Sequence, residues 1–315
     1  MAAWWSAGDT MNVKPAKTPD WVAADWGTSH LRLWLMAENG QVLHRLHSAA
    51  GMGTLTPDGY EPELLRLLEG TLPAEGALDV ICCGMAGAAQ GWAEAPYAAA
   101  PCPPPGPAEA VQPALETPRL RVFILPGVKQ IADSDVMRGE ETQIAGFLAA
   151  HPGYDGMLCL PGTHSKWARV RDGKIEGFRT FMTGELFALL SSRSVLRHTT
   201  NSDGWDEAAF EAAVSDIMAA PADLTGKLFG LRAGPLLTGM PPETARARLS
   251  GLLIGAELAA TRKDWQALPV ALIGENSLAQ AYAEALALKG HAPTLVNTED
   301  MTLGGLKAAR RQLQG

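Results

Sequence analysis

A strand, a Gly-Thr turn and a hairpin occur twice in this chain, with Gly27 and Gly162 standing 135 residues apart, and that repeat limits the fold more than any other feature. The first copy runs Trp21-Val-Ala-Ala24, then Asp25-Trp-Gly-Thr-Ser29. Leu31, Leu33 and Leu35 next alternate with Arg32, Trp34 and Met36, and Asn39-Gly40 precedes Gln41-Val-Leu-His44. The second runs Met157-Leu-Cys-Leu160, Pro161-Gly-Thr-His-Ser165, Lys166-Trp-Ala-Arg-Val170 and Asp172-Gly173. Both Asx-Gly pairs are type I′ hairpin signals. A repeat at this separation predicts a duplicated α/β fold with two facing lobes, because strand-turn units alternate with helical stretches in each half.

The rest of the pattern agrees. A helix is expected around Glu61 to Leu68, and strands at Val80–Cys83 and Val122–Leu125. Prolines 101, 103, 104, 105, 107, 113 and 118 make residues 98–118 a surface excursion, neither helix nor central strand. Ile144, Phe147 and Leu148 share one face of a helix opened by Gly139 and stopped by His151-Pro152-Gly153. A boundary near 152 divides the chain into a flexible extension (1–20), a first lobe (21–152) carrying the first turn, and a second lobe (153–315) carrying the second turn. In the second lobe, helices at Leu249–Thr261 and Leu278–Lys289 flank a strand at Val270–Ile273 and a turn at Gly274–Ser277. Thr294–Val296 is a last strand, and Gly304-Gly305 in the closing helix allow two helices to cross closely.

Composition removes several classes of function. With 26 Lys+Arg against 34 Asp+Glu, a net charge of −8 and no basic tract, no nucleic-acid partner is expected. The 33 glycines and 22 prolines exclude a coiled coil or an all-helical bundle. Four cysteines without a CxxC make neither a disulfide framework nor a zinc site, and Cys82-Cys83 read as buried thiols in a reducing cytoplasm. The start lacks a signal-peptide pattern and no apolar run is long enough for a membrane span. A homo-oligomer is compatible with all of this.

Phosphate binding asks for backbone N–H groups that can approach closely, small hydroxyl side chains and a carboxylate for the metal. Gly27, Thr28 and Ser29 meet the first two demands, and Asp25 at a strand end can hold Mg²⁺. Gly162, Thr163 and Ser165 repeat the arrangement and Lys166 adds a point charge. Either turn alone is also an ordinary strand corner; their repetition points to a nucleoside triphosphate.

These residues resemble the paired phosphate motifs of the actin, sugar kinase and Hsp70 superfamily, and Asp25-x-Gly27-Thr28 with Arg32 looks like the opening of its carbohydrate kinases. More closely, Asp25-Trp-Gly-Thr-Ser29, Cys83-Gly-Met-Ala-Gly87, Gly91-Trp-Ala-Glu-Ala-Pro-Tyr97, Val136-Met-Arg-Gly-Glu-Glu-Thr-Gln143, Pro161-Gly-Thr-His-Ser-Lys-Trp167, Phe178-Arg-Thr-Phe-Met-Thr-Gly-Glu-Leu186 and Leu249-Ser-Gly-Leu-Leu-Ile-Gly-Ala-Glu257 resemble, in order, the 2-dehydro-3-deoxygalactonokinase family. The resemblance implies a ribonuclease H-like, hexokinase-type fold with an interlobe cleft. It also implies transfer of phosphate from ATP, with Mg²⁺, to the 6-hydroxyl of 2-dehydro-3-deoxy-D-galactonate in cytoplasmic galactonate breakdown. Leu160-Pro161 stand where the superfamily usually keeps an Asp, and Ala88-Ala89 where a polar pair is expected.

Within that frame Asp135 is the candidate general base, with Glu140 in reserve; the plain alternative is that Asp135 caps the helix beginning near Gly139. Arg138 or Arg179 can pair with the substrate carboxylate, or stand in ordinary ion pairs. Gly84, Met85 and Gly87 frame the acceptor, Glu185 holds substrate or metal, and Gly274 with Ser277 resembles an adenosine-binding turn. A kinase for a related sugar acid, a phosphohydrolase of the same superfamily and a non-catalytic nucleotide-binding sensor are the competing functions.

Overall fold

The computed structural model describes residues 18–274 and 277–315; most of the expected extension (1–17) and Glu275-Asn276 of the expected adenosine turn lie outside the described residues. The elements are, in chain order, β1 (Trp21–Trp26), β2 (Leu31–Met36), β3 (Val42–Ser48), α1 (Tyr60–Leu67), β4 (Leu78–Gly84), β5 (Tyr97–Ala99), β6 (Leu120–Ile124), β7 (Gly127–Gln130), β8 (Asp135–Met137) and α2 (Glu140–Ala150). There follow β9 (Gly156–Leu160), β10 (Ser165–Arg171), β11 (Lys174–Phe181), α3 (Thr183–Ser192), α4 (Glu207–Ala219), α5 (Leu224–Thr238), α6 (Pro242–Ala260), α7 (Arg262–Ala267), β12 (Val270–Ile273), α8 (Ser277–Ala287), β13 (Thr294–Val296) and α9 (Thr298–Gln314). Among the described residues no helix is long and apolar enough to cross a membrane.

Two five-stranded sheets have the same order. One is β3-β2-β1-β4-β6 and the other β11-β10-β9-β12-β13. In each, the first three strands meander antiparallel and the last two run parallel to the first. This is the ribonuclease H-like order, found twice. A small sheet, β5-β7-β8, completes the strands.

The first compact unit holds the residues up to 97, 105–127 and 306–315; the second holds 98–104 and 128–305. In the first, Val22, Ala24, Leu33, Leu35, Val80 and Val122 pack with Tyr60 and Leu64 of α1. In the second, strand alternation separates two cores. Leu158, Leu160, Ala168 and Ile273 pack with Ile144 and Phe147 of α2, while Cys159, Trp167 and Leu272 pack with Phe210 of α4, Ile254 of α6 and Tyr282 of α8.

The boundary expected near 152 differs from this division. Residues 128–152 belong with the second unit because α2 covers one face of its sheet and Asp135 of β8 bonds to Thr180 of β11. The chain end belongs with the first, where Arg310 Nη1 lies 2.7 Å from Asp79. The second hairpin is type I′, with Asp172 and Gly173 both at positive φ. The first is not: only Gly40 has positive φ, Gly40 N donates to Ala37 O and Ala37 N to Gln41 O, which is a type I turn closed by a glycine bulge. The close helix crossing is present. A Cβ on Gly146 of α2 would overlap the Met301 carbonyl of α9, and one on Gly305 the Thr142 carbonyl.

Candidate active site

The first turn leaves β1 at the carboxyl end of the sheet's parallel strands, where ligands of open α/β sheets gather. Its backbone closes on itself and on a neighbouring segment: Gly27 N donates to His30 O, Met52 N to Gly27 O and Gly53 N to Thr28 O (2.8 Å). A Cβ on Gly51 would overlap the Thr28 carbonyl, so that segment must be glycine to press so near. Thr28 and Ser29 are exposed. Asp25 faces Arg32 across the β1–β2 pair and accepts from its Nε at 3.1 Å and from its Nη2. Beside Asp25, β4 ends in Gly84 at φ +88, where a Cβ would stand 2.7 Å from Trp26 O. Half-buried Met85 and buried Gly87 form the tight turn that follows, so the expected acceptor frame lies next to the first turn.

The second turn repeats this. Glu185 N donates to Thr163 O at 2.9 Å, as Gly53 does to Thr28, and a Cβ on Gly184 would overlap the Gly162 carbonyl. Thr163 and His164 are exposed, and His164 Nε2 lies 2.6 Å from Glu185 Oε2. Gly274 follows β12 beside this turn, with its N–H on Val296 O and Pro161 Cδ 4.0 Å from where its Cβ would be; Ser277 is exposed at the start of α8.

Ser165 differs from expectation. It is fully buried and its hydroxyl is bonded to Tyr282 at 2.9 Å, because β10 begins there and turns this side chain inward. Tyr282 in turn donates to Glu257, which also accepts from Trp167 Nε1 and Thr183 Oγ1. Burial raises the pKa of Glu257, opposed by these three hydrogen bonds. This network ties β10, α3, α6 and α8 together under the turn, and Ser165 supports it from below.

Lys166, the next residue, points to the other face. It is buried, and its ammonium lies 3.4 Å from Glu140 Oε1. Glu140 also accepts from Arg138 N at 3.1 Å, and Glu141 accepts from Gly139 N at 2.8 Å. Gly139 has φ +104, which only glycine adopts freely. Glu141 is fully enclosed, and burial first, then the charge of Glu140, pushes its pKa up to about 8. These carboxylates hold the two N–H groups just before α2, and no side chain caps the helix, so Asp135 is not its cap. Asp135 lies instead in β8, where Oδ2 accepts from Thr180 N (2.7 Å) and Oδ1 from Thr180 Oγ1 (2.6 Å) and Val136 N (2.8 Å). Of about four acceptor positions on a carboxylate, one stays open. Thr180 pairs with Lys166 in the β10–β11 register, which puts Asp135, Glu140 and Lys166 on one face of the sheet.

Arg179 does not join them. Strand alternation sends it to the opposite face, where Nη1 donates to Ala260 O at the end of α6 (2.9 Å) and the guanidinium sits 5.1 Å from the Phe181 ring centroid. Of the two arginines expected to meet a substrate carboxylate, Arg138 alone is near the cluster. Gly51, Gly184 and Thr180 were not anticipated. The glycines' signal was their recurrence after each hairpin; Thr180 stands 45 residues from the aspartate it holds.

Sequence and structure comparisons find relatives over nearly the whole chain. Residues 25–309 match the family described as 2-keto-3-deoxy-galactonokinase. A relative from Rhizobium meliloti (strain 1021), described as a probable 2-dehydro-3-deoxygalactonokinase, is 42% identical over 305 residues, covering 93% of this chain and 97% of that one. A 2-dehydro-3-deoxygalactonokinase from Escherichia coli (strain K12) is 33% identical over 295 residues, covering 92% and 97%. A crystal structure of a Sinorhizobium meliloti protein assigned the same activity superposes with a TM-score of 0.86 at 40% identity, covering 93% of this chain and 99% of that one. With the match running from the first turn to the last helix, the chain belongs to the 2-keto-3-deoxy-galactonokinase family.

Proposed function

We propose that the protein transfers the γ-phosphoryl group of ATP to the 6-hydroxyl of 2-dehydro-3-deoxy-D-galactonate, a step in the breakdown of D-galactonate in the cytoplasm, where ATP is supplied. The observation that carries this reading is the turn found twice, each copy pressed by a glycine-bearing segment and each with a cation across the strand pair. The choice of acceptor follows the relatives' names. Phosphoryl transfer asks the protein for positioning and charge neutralisation more than for covalent chemistry, and this constellation supplies both.

The N–H groups and hydroxyls of Thr28, Ser29, Gly162 and Thr163 bind phosphate oxygens, and Gly27, its own N–H held by His30 O, lets the backbone come close. Arg32 and Lys166 neutralise charge that develops during transfer. Among the described residues no three His, Cys, Asp or Glu side chains gather as a metal site. Mg²⁺ usually takes one or two carboxylates and completes its shell with water and phosphate, which fits Asp25 acting with the nucleotide. When bound, the ion would polarise the transferring phosphate. Gly274 and Ser277 border the purine. Gly84, Met85 and Gly87 border the sugar acid, Arg138 pairs with its carboxylate and Glu185 contacts it. Asp135, oriented by Thr180, takes the hydroxyl proton; Glu140 is the reserve.

ADP release with a panel of acceptors tests the reading. Release that depends on 2-dehydro-3-deoxygalactonate, with glucose and galactose far poorer, is expected. Equal or better turnover of a neutral hexose overturns the substrate, and acceptor-independent phosphate release points to a hydrolase instead.

A further inference from the structure

Strand β11 is an edge of its sheet, and past a single bridge from Cys102 its outward N–H groups are taken by side chains. A bulge at Glu176 shifts the strand's alternation. Beyond Ile175, whose N–H meets Cys102 O at 2.8 Å, the outward groups are therefore those of Phe178 and Thr180. Thr180 N donates to Asp135 Oδ2 at 2.7 Å, and Phe178 N donates to Gln130 Oε1 at 3.0 Å. Gln130 and Asp135 stand directly opposite each other in the β7–β8 pair. Two cross-strand partners thus fasten this hairpin to alternate N–H groups of β11.

The residue type at 130 follows from its contacts. Its Oε1 meets a backbone N–H, which donates, and its Nε2 lies 2.7 Å from Asp133 Oδ2, a carboxylate oxygen, which accepts. An amide answers both; a carboxylate would set like charge against Asp133. The turn between the strands needs this hold. Ser134, the residue before Asp135, has φ +53, a left-handed conformation that a residue other than glycine keeps only where its surroundings impose it. Strand β11 leaves room for the contact. A Cβ on Gly177 would stand 2.9 Å from Gln130 Oε1, and among the described residues outside its chain neighbours the Gln130 amide is all it would meet within 4 Å.

The geometry points to Gln130 as a positioning residue for the proposed phosphoryl transfer: with Thr180, it keeps the open acceptor position of Asp135 in one direction. This rests on the reading of Asp135 as the base. Fixed at two points, the hairpin cannot turn about the Thr180 bonds; fixed at one, the left-handed turn at Ser134 is free to relax and carry the carboxylate with it. A shift of about 1 Å at a reacting group can cost 10²-fold in rate. Gln130 belongs to neither phosphate turn, so ATP binding should not sense its loss.

Steady-state kinetics of the full chain with ATP and 2-dehydro-3-deoxygalactonate test this. Gln130→Met, which keeps the side chain's length and removes both bonds, should lower kcat about 10- to 100-fold and leave KM for ATP within about twofold. A general loss of packing would not produce that split. Gly177→Ala reaches the same bond from β11 by adding one methyl group, leaves the hairpin's own sequence intact, and should lower kcat in the same sense. Because both variants break one bond, the double variant should be no slower than Gln130→Met, whereas losses at independent sites multiply. Asp135→Asn, measured beside them, separates the role of Gln130 from that of the base. A slow Asp135→Asn beside a normal Gln130→Met overturns the inference and leaves the base in place. A near-normal Asp135→Asn overturns the base, and the inference with it; a native chain that turns over no acceptor removes the proposed function and both. Multiplied losses in the double variant, or a KM for ATP that rises while kcat holds, would also overturn the role of Gln130.

Discussion

The two Gly-Thr turns share a backbone and differ in charge. Each leaves the first strand of a sheet of the same order, and each has its threonine carbonyl bonded by a later backbone N–H, from Gly53 in the first unit and Glu185 in the second. Across from the strand residue two before the glycine stands a cation in both cases: Arg32 opposite Asp25, and Lys166 opposite Leu160. The second cation comes six residues on where the first comes seven, so a constant offset of 135 residues aligns Arg32 with Trp167 and misses its counterpart. Duplication therefore kept the close-approach turn and the cross-strand cation, while the carboxylate stayed only in the first copy. Arg32 finds its partner across the strand; Lys166, facing a leucine, takes Glu140 from α2. The metal role proposed for Asp25 therefore has no counterpart in the second turn, which offers the charge of Lys166 beside Glu140.

The largest expected effect concerns the residues that have no counterpart in the first unit. Asp135→Asn should lower kcat by about 10² to 10⁴ with ATP binding nearly intact, since a general base acts on the transition state. An amide accepts at one end only, so the N–H of either Thr180 or Val136 loses its acceptor, and stability should fall as well, by about 1–3 kcal/mol. Near-normal kcat in single-turnover measurements would move the role to Glu140.

Next in size are the paired cations. Arg32→Ala and Lys166→Ala should each reduce kcat/KM by about 10- to 10³-fold, as loss of one charge-assisted contact in the transition state does. If the copies are equivalent in function, both fall together. If Lys166→Ala alone leaves kcat/KM unchanged, the second turn holds its lysine only for the buried pair with Glu140.

Glu141 distinguishes the units by pH. Its folded pKa, about 8, lies above the ordinary 4.5, so it binds its proton more tightly when folded. The stability it contributes is complete below pH 4.5 and is lost as pH rises towards 8, by up to a few kcal/mol. Thermal unfolding should show that decline in the native chain and a flatter profile in Glu141→Gln; parallel profiles would remove Glu141 as the cause.

The turn glycines test whether the two backbones are pressed alike. Gly51→Ala and Gly184→Ala each put a Cβ onto turn backbone, at the Thr28 and Gly162 carbonyls. Each should cost about 1–3 kcal/mol of stability, the usual result of overpacking a tight site, and raise KM for ATP. A loss from only one of them would mean the duplicated contact has relaxed in the other unit.

Much of this was readable in the sequence because the signals are local. Gly27-Thr28, Gly162-Thr163, Asp172-Gly173 and Gly139 each need only neighbours to define a turn or a helix start, and Gly304-Gly305 sit where backbones cross. What was not readable is long-range or lacks contrast. Helix α5 is apolar on both sides and carries Gly226, Gly230, Gly234 and Pro235, so it shows no stripe of period 3.6 and several breakers. Strand β8 has three residues, too few for an alternation, and its fixing partner Thr180 lies on β11. Asn39-Gly40 and Asp172-Gly173 look alike as pairs, yet only the second has both residues at positive φ, a choice made by the flanking strands.

The smallest expected effect separates the two faces of the second sheet. Arg179 was a candidate for the substrate carboxylate, but it shares its face with Phe181 and donates to the last turn of α6, opposite in direction to neighbouring Thr180, which holds Asp135. A cation on a helix's final carbonyl is worth about 0.3–1 kcal/mol when partly exposed. Arg179→Ala should therefore lower stability by about that amount in a denaturant titration and leave KM for the sugar acid within about twofold. Arg138→Ala, on the side of Glu140 and Lys166, should raise that KM by about 10- to 100-fold, because a charged hydrogen bond to a carboxylate contributes some 1.5–3 kcal/mol. Were the two results exchanged, the carboxylate would be bound from the α6 face, and the grouping of Asp135, Glu140 and Lys166 as the acceptor side of the second unit would fall with it.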